Sequence, residues 1–463
     1  MKKLISLLLV LAMMLTALVG CGSTGTTEAP KETKAPAAAE APAADNAEAP
    51  AEQGKIVNIY TWNEEFIDRY KAYAADLADK HGVTVNFVTV ANENNAYQNN
   101  LDAALMAQAD AAADDKVDIF LVEADYASKY TKTDFTLDVV ADIGLTEEDL
   151  SQQYQYTKDI VSFNGVQKGT TWQATPGLFA YRRSIAKEVL GTDDPVEVQA
   201  MLSDWTKFDE VAEKMSAAGY YMLSGYDDSF RTFSNNMSGP WVTDGKIVID
   251  PAIENWIEQT KEYTDKGYNN KTTLWASEWS ADQGPAGKVF GFFYSTWGIN
   301  FTLLGNSLAD ANGAHEVGNG IFGDYAVCEG PQAYYWGGTW ICAAAGTDNI
   351  PFIKDLMLRL TCDAETMKRI TVDTEDYTNN MAAMGEIAAS DYASAFLGGQ
   401  NHIALFAEAA KKIDMSNICD YDQGLNESIQ QCMHEYFEGV VDLEKAYENF
   451  YSAAEIKYPE LTH

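Results

Sequence analysis

The sequence predicts an α/β fold, because strand and helix patterns alternate in the first part of its folded body. Ile56 to Trp62 has the pattern of a strand, and an amphipathic helix from Phe66 to Leu77 follows, ended by Gly82. A second strand covers Val83 to Val90, and the nearly continuous apolar run from Val117 to Val122 is typical of a strand buried in a parallel sheet. This order predicts a doubly wound lobe with helices on both faces of its sheet.

A second lobe is predicted after the apolar and aromatic stretch from Trp172 to Arg182. Pro176 and Gly177 interrupt this stretch and suit a crossover between lobes. A helical pattern then covers Phe208 to Met215, and Phe290 to Thr296 predicts a buried strand. We therefore expect a second α/β unit after the crossover.

The first residues have the three parts of a secretory signal: Lys2 and Lys3, an apolar run from Leu4 to Leu18, and small residues before Cys21. Leu18 to Cys21 resembles a bacterial lipoprotein box. The resemblance implies a signal peptide over residues 1–20, lipidation of Cys21 and anchoring at the outer face of the cell membrane. An uncleaved N-terminal anchor is the alternative.

Residues 21–54 predict a disordered tether. The segment is rich in Ala and Pro and contains no aromatic residue, so it cannot bury enough apolar surface to fold. The folded body is therefore expected to begin near Lys55.

The net charge narrows the range of partners. The chain has 32 Lys and Arg against 69 Asp and Glu, a formal net charge of −37. Such a charge argues against nucleic acid and against anionic lipid surfaces as partners, so membrane attachment is assigned to the lipid anchor. A cationic ligand stays open.

The remaining cysteines predict neither a metal site nor a disulfide framework. They are odd in number and contain no CxxC pair: Cys328, Cys342, Cys362, Cys419 and Cys432. Individual bridges and free thiols both stay open, and no cofactor is predicted.

Aromatic and acidic residues follow two of the predicted strands. Trp62, Glu64 and Glu65 come after the first strand, and Asp125 and Tyr126 follow the third. Because ligands of open α/β sheets bind beyond the carboxyl ends of the strands, these positions are candidates for a binding site.

The order of features along the chain resembles the extracellular solute-binding proteins of carbohydrate ABC importers, a family distantly similar to maltose-binding protein. The matching features are the strand ending at Trp62, the stretch Trp172 to Arg182, Asp204 with Trp205, Lys288 to Trp297, Gly337 and Gly338 before the run Trp340 to Ala345, and two helical stretches between Leu425 and Tyr447 joined at Gly439. Where the family usually has Asn-Lys after a Tyr, this chain has Arg182 and Arg183.

The resemblance implies a periplasmic-binding-protein-like fold of two lobes joined by a hinge. The N-terminal lobe would comprise residues 55–175 and about 338–397, and the C-terminal lobe residues 176–337 and about 398–463. It also implies a monomer that captures a mono- or oligosaccharide between the lobes and delivers it to membrane permease subunits, without catalysis.

Sugar capture accounts for the candidate side chains, because pyranose rings stack on aromatic faces and their hydroxyls need oriented donors and acceptors. Trp205 and Trp256 are predicted to be packing residues. The predicted ligand-binding residues are Trp62, Glu64, Glu65, Asp125, Tyr126, Trp172, Gln173, Arg231, Trp241, Trp275, Trp297, Trp336, Trp340 and Gln423.

Two other functions stay open. A polyamine or another cationic solute would be held by acidic and aromatic side chains such as those of Glu64, Glu65 and Asp125. A cell-surface glycoside hydrolase would use a pair of carboxylates, although no isolated acid pair is evident in the sequence.

Overall fold

The computed structural model describes residues 53–463. The predicted signal peptide, the lipidated Cys21 and the tether lie outside the described residues, except for Gln53 and Gly54. Gly54 is buried, and its backbone N–H donates to Asp348 Oδ2 at 2.8 Å. The folded body therefore holds the backbone from Gly54 onward.

The described strands are short, and most of them are buried. They are β1 (Ile56–Thr61), β2 (Thr84–Thr89), β3 (Val117–Glu123), β4 (Ser162–Phe163), β5 (Val166–Gln167), β6 (Thr170–Thr171), β7 (Gly177–Arg182), β8 (Leu223–Gly225), β9 (Val242–Thr243), β10 (Lys246–Ile247), β11 (Asn269–Thr272), β12 (Gly291–Ser295), β13 (Tyr325–Cys328) and β14 (Thr339–Ala343).

Helices surround these strands. They are α1 (Glu65–Tyr73), α2 (Asp76–His81), α3 (Ala96–Ala107), α4 (Ala127–Thr131), α5 (Gln155–Asp159), α6 (Arg183–Leu190), α7 (Pro195–Met201), α8 (Trp205–Ala217), α9 (Phe230–Ser234), α10 (Pro251–Lys266), α11 (Ser277–Asp282), α12 (Thr296–Gly298), α13 (Gly305–Ser307), α14 (Ile350–Met357), α15 (Ala364–Thr374), α16 (Met381–Ala388), α17 (His402–Ala410), α18 (Asp422–Phe437) and α19 (Leu443–Lys457). A π-helix, Ile299–Leu304, joins α12 to α13.

The first lobe is built on a five-stranded sheet with the order β2-β1-β3-β14-β6. β1 is parallel to both β2 and β3, as the alternating pattern predicts, whereas β14 pairs antiparallel with β3 and β6. β3 is buried from Val117 to Val122, which explains its continuous apolar sequence. The chain thus returns to this sheet from far along the sequence.

The helix predicted from Phe66 to Gly82 is two helices, α1 and α2. Ala74 leaves the helical conformation at φ −138°, and a turn separates the two segments. Ala74 and Leu77 are nevertheless both buried, so the apolar spacing continues across the break and does not reveal it.

The second lobe has a different pattern of strand directions. β7 lies between β12 and β13 and is antiparallel to both, while β8 and β11 are parallel. The backbone of Tyr221, just before β8, bonds to the segment that precedes β12: its N–H donates to Lys288 O at 2.9 Å, and its carbonyl oxygen accepts from Phe290 N–H at 2.8 Å. The α/β two-lobe fold class is confirmed, with more antiparallel pairing in the second lobe than a doubly wound sheet contains.

A separate hydrophobic cluster extends the second lobe. It contains buried residues of α9, α10, α18 and α19, including Trp256 at its centre. α18 and α19 correspond to the two predicted helical stretches between Leu425 and Tyr447, and Gly439 lies in the connection at φ 77°.

Three chain segments run side by side between the lobes. Gly177 N–H donates to Tyr334 O at 2.7 Å, which pairs the first crossing with the second. On the other side, Asn379 N–H donates to Trp172 O at 2.8 Å. The segment near Gln400, where the sequence predicts a third passage, contacts β13, because the Gln400 side chain bonds both backbone groups of Val327.

None of the helices found between residues 53 and 463 is long and apolar enough to cross a membrane.

The Gly177→Ala variant tests the packing of the first crossing. A Cβ atom at Gly177 would lie 2.1 Å from Cζ of Tyr334, whose hydroxyl is fixed by bonds to Leu178 O and Tyr294 O. We expect the free energy of unfolding to fall by about 2–3 kcal/mol, measured by urea denaturation. The control is Gly385→Ala in α16, where no atom lies within 4 Å and a gain of about 0.5–1 kcal/mol is expected. Equal effects of the two substitutions would contradict this account of the crossing.

Candidate ligand-binding site

A cavity of about 280 Å³ opens between the two lobes. Its walls combine aromatic rings, two carboxylates, two amides, a threonine and two glycines. They are formed by Trp62, Asn63, Glu65, Glu123, Gln173, Trp275, Trp297, Phe301, Trp336, Gly337, Gly338 and Thr339.

The topology of the first sheet explains how its polar residues meet. β1 and β3 are parallel, so Trp62 and Glu123 lie at the same edge of the sheet. β14 runs in the opposite direction, and its first residue, Thr339, pairs with Glu123. Gln173 follows β6, the outermost strand, and completes this wall.

The facing wall is a cluster of three tryptophans. The rings of Trp275 and Trp297 are stacked at 23° with centroids 6.0 Å apart, and Trp336 meets Trp297 edge-on at 5.2 Å. Trp297 Nε1 donates to the carbonyl oxygen of Trp336 at 2.9 Å. Trp275 is 53% exposed and has a left-handed φ of 70°, a strained backbone for such a residue and typical of functional sites.

Gln173 links the carboxylates on the polar wall. Its Nε2 donates to Glu65 Oε1 at 2.8 Å and to Asp376 Oδ2 at 3.1 Å, and its Oε1 accepts from Thr339 N–H at 3.1 Å. These bonds fix the amide and position Glu65. Asp376, buried behind the cavity wall, also accepts from the Thr296 hydroxyl at 2.5 Å.

Two cavity carboxyls titrate far above their ordinary range. Burial raises the pKa of Glu65 to about 7, with Asp376 adding to the rise and Arg69 opposing it. Burial, together with the nearby charge of Asp125, raises the pKa of Glu123 to about 8. Near neutral pH the cavity therefore holds less negative charge than its composition suggests.

An ion pair joins the two lobes beside the cavity. Asp125, just after β3, accepts two hydrogen bonds from the guanidinium of Arg231 on α9, one of them at 2.7 Å. Asp125 N–H in turn donates to Glu123 Oε2 at 2.7 Å. The geometry is bidentate, so the pair fixes the orientation of the two elements as well as their separation.

Five of the predicted residues on the cavity walls are tryptophans or carboxylates: Trp62, Glu65, Trp275, Trp297 and Trp336. Gln173 is the sixth predicted residue there. The structure brings these six residues together, and their role in ligand binding stays a proposal.

Three predicted tryptophans lie in the core instead. Trp172, Trp241 and Trp340 are 0% exposed and present no surface to the cavity. Trp241 Nε1 donates to Asn426 Oδ1, and Trp340 Nε1 to Thr157 O, both at 2.8 Å. The structure therefore gives these rings packing roles, like those predicted for Trp205 and Trp256.

The other predicted residues surround the cavity without lining it. Glu64 is exposed in an adjoining groove, and Tyr126 is buried behind Trp62 with ring centroids 6.2 Å apart. Gln423 lies on α18 beside a different cavity, where it accepts from Gln98 at 3.3 Å. Arg231 is engaged in its ion pair.

The sequence reasoning missed several wall residues. Glu123 ends β3 and falls under the rule used for Asp125, but the predicted ligand-binding residues did not include it. Gly337 allows its backbone to lie close to the Trp297 ring, because a Cβ atom there would be 3.1 Å from Trp297 Nε1. Phe301 lies in the π-helix, for which the sequence carries no recognised signal.

Between residues 53 and 463, no group of three or more His, Cys, Asp or Glu side chains is arranged to hold a metal ion.

Two α/β lobes around an aromatic and polar cavity define a bilobal binding protein. Residues 72–383 match the family model of the bacterial extracellular solute-binding proteins. The chain belongs to this family.

Solved structures share the fold. The binding protein associated with an ABC transporter of B. animalis subsp. lactis Bl-04, in complex with β-1,6-galactobiose, aligns at a TM-score of 0.65 with 17% identity, covering 89% of this chain and 99% of that one. The galacto-N-biose-/lacto-N-biose I-binding protein of Bifidobacterium longum, in complex with lacto-N-biose, aligns at a TM-score of 0.65 with 13% identity, covering 88% of this chain and 98% of that one. The GacH receptor of Streptomyces glaucescens aligns at a TM-score of 0.63 with 14% identity, covering 89% of this chain and 100% of that one. No curated protein matches the sequence.

The Glu123→Gln variant is expected to reduce the loss of stability at alkaline pH. The pKa of Glu123 rises from 4.5 to about 8 on folding. Its contribution to stability is therefore complete below pH 4.5 and is lost as the pH rises through about 8, because the unfolded chain releases the proton first. Gln has no proton to release. The free energy of unfolding of the variant, relative to that of the wild type, should therefore rise by about 1–3 kcal/mol between pH 5 and pH 8.

Thermal unfolding of both proteins at several pH values measures this gain. Glu64→Gln, at an exposed position outside the cavity, is the control and should follow the wild-type pH dependence. A stability difference between Glu123→Gln and the wild type that does not change with pH would contradict the assignment.

Proposed function

We propose that the protein captures a neutral mono- or oligosaccharide in the cavity between its lobes and delivers it to an ABC importer. The observation that carries the proposal is the pairing of a tryptophan cluster with an amide–carboxyl network across one cavity. Proteins of the same fold have been solved with β-1,6-galactobiose and with lacto-N-biose, which supports this class of ligand.

The two walls suit the two surfaces of a sugar. Trp275, Trp297 and Trp336 offer ring faces for the apolar C–H surface of a pyranose. Glu65 and Glu123 offer oxygen atoms for its hydroxyls, with Asn63 as a further donor and acceptor. Neutral carboxyl groups can also donate, which widens the hydroxyl orientations that the site can satisfy.

The proposed mechanism is closure without a chemical step. A ligand that contacts both walls stabilises the arrangement in which the lobes face each other, and the permease would recognise this form. The hinge is assigned to the paired segments around Gly177, Tyr334 and Asn379. The first two lobe limits follow the sequence-based division at residues 175 and 337, and we assign the third passage, predicted near residue 397, to the segment near Asn379.

The membrane anchor belongs to the same proposal. Lipidation at Cys21 and a tether to residue 54 would hold a monomeric body at the outer face of the cell membrane, near the permease. Mass spectrometry of the protein isolated from membranes would detect the acylated Cys21.

A cationic solute is the second candidate, and one observation favours it. Among the described residues that line the cavity, none is Lys or Arg, while Glu65 and Glu123 are both present. Tryptophan faces also attract cations. The raised pKa values of both carboxyls weaken this candidate, because they reduce the negative charge that a cation needs.

The Trp297→Ala variant is expected to lose sugar binding, by at least about 30-fold in Kd, because its ring forms the centre of the aromatic wall. The measurement is a titration of the full chain with di- and trisaccharides, followed by melting temperature and calorimetry. Trp205→Phe is the control, since Trp205 stacks on Phe233 away from the cavity. An unchanged Kd in Trp297→Ala would remove this residue from the site.

Ionic strength separates the two candidate ligands. The Kd of a neutral sugar should change by less than about twofold between low and high salt, because no net charge is transferred into the site. A polyamine such as spermidine should bind about tenfold more weakly at high salt. Tight, salt-sensitive spermidine binding without any response to sugars would overturn the carbohydrate proposal.

A further inference from the structure

The cavity does not end at the tryptophan cluster. A second, larger groove of about 600 Å³ lies beside it, and the two share Asn63, Glu65, Trp297 and Phe301 as walls. Trp297 and Phe301 thus border both spaces. The groove therefore adjoins the cavity along these four residues.

Arg69 on α1 lines only the groove, and its hydrogen-bonding capacity is unused. Its side chain is 15% exposed, and its Nε is buried without a hydrogen-bond partner among the described residues. The nearest carboxylate, Glu65, lies 3.9 Å from Nη2, which is too long for a hydrogen bond. Because Nε is enclosed by the protein, a ligand in the groove would accept from the Nη groups of the guanidinium, of which Nη2 is too far from Glu65 for a hydrogen bond.

The groove also has an aromatic surface at its mouth. Phe301 is 73% exposed, although large apolar side chains usually avoid water. The π-helix around it is a distortion that often occurs at functional sites, and the neighbouring Asn300 is held by a 2.5 Å bond to Thr374 O. The groove thus places an aromatic ring and the Arg69 guanidinium in one space, as the cavity does with its tryptophans and polar groups.

The charges of the groove restrict what can bind there. Glu64, Glu65, Asp68 and Asp376 surround the single positive charge of Arg69. An anionic sugar would meet this acidic surround, whereas neutral hydroxyls can both accept from Arg69 and donate to the carboxylates.

We propose that the ligand is a neutral oligosaccharide of at least two rings, with one ring in the tryptophan cavity and the next in the groove between Arg69 and Phe301. This inference rests on the proposed function and specifies its substrate class. Arg69 and Phe301 would then determine the preferred chain length, while Trp297 contacts both rings.

The test compares sugars of different length on the full chain. The probes are galactose with β-1,6-galactobiose, glucose with maltose and maltotriose, and digalacturonic acid as the anionic arm. We expect the best disaccharide to bind at least about tenfold more tightly than its monosaccharide, and digalacturonic acid to bind more weakly than neutral disaccharides.

Variants test which residues cause the tighter binding of disaccharides. Arg69→Gln should weaken disaccharide binding by about tenfold and leave the monosaccharide within about twofold. Lys71→Gln, with the same change of charge at an exposed position on α1, is the matched control and should change neither. Phe301→Ala, at an exposed position that the fold does not depend on, should weaken disaccharide binding by about tenfold and monosaccharide binding less, because Phe301 borders the cavity as well as the groove.

The outcomes distinguish this inference from the proposed function. Equal affinity for mono- and disaccharides, lost in Trp297→Ala but unchanged in Arg69→Gln and Phe301→Ala, would overturn the inference and leave sugar capture standing. Tighter binding of digalacturonic acid than of the neutral disaccharides would overturn the inference that the ligand is neutral. No response to any sugar would overturn the proposed function and this inference with it.

Discussion

The ion pair between Asp125 and Arg231 is the interaction on which the geometry of the cleft depends. It joins the end of β3 to α9, and so ties the polar edge of the first sheet to the second lobe. A buried charge needs a partner, and neither side chain has another of opposite charge among its described contacts. Burial raises the pKa of the adjacent Glu123, Asp125 adds to the rise and Arg231 opposes it. Both members of the ion pair therefore act on the charge of a cavity residue.

The tryptophans divide into two groups by what their indole faces meet. In the core, Trp241 and Trp340 have packed faces and N–H groups bonded to Asn426 and Thr157, so nothing remains for a ligand. Trp297 also has its N–H satisfied, by the carbonyl of Trp336, yet its ring borders open space on the cavity side. A satisfied N–H with a free face gives a rigid stacking surface, because no ligand contact is needed to hold the ring in place.

Sequence patterns predicted the part of the site that depends on strand direction. Trp62 and Glu65 follow the first strand, and parallel strands end at a common edge, so the rule that placed them needs no knowledge of packing. The tryptophans could not be sorted in the same way. Trp340 lies inside β14 and Trp336 just before it, and only the pairing of β14 with β3 determines which one is enclosed. The break between α1 and α2 was missed because apolar spacing continues through it, and the π-helix at Phe301 was missed because the sequence carries no recognised signal for it.

The distribution of contacts between the lobes bears on how a ligand would act on the protein. The carboxyl and amide groups of the cavity come from the ends of β1, β3 and β6, whereas Trp275 and Trp297 come from the second lobe. In the proposed function, the first lobe offers a sugar the hydrogen-bonding groups and the Trp62 ring, while the second lobe offers Trp275 and Trp297, so only the two lobes together contact the whole ligand. A ligand shifts a conformational equilibrium only when it binds one conformation more tightly than the other. A ligand that made all its contacts with one lobe would therefore leave the position of the other lobe unchanged.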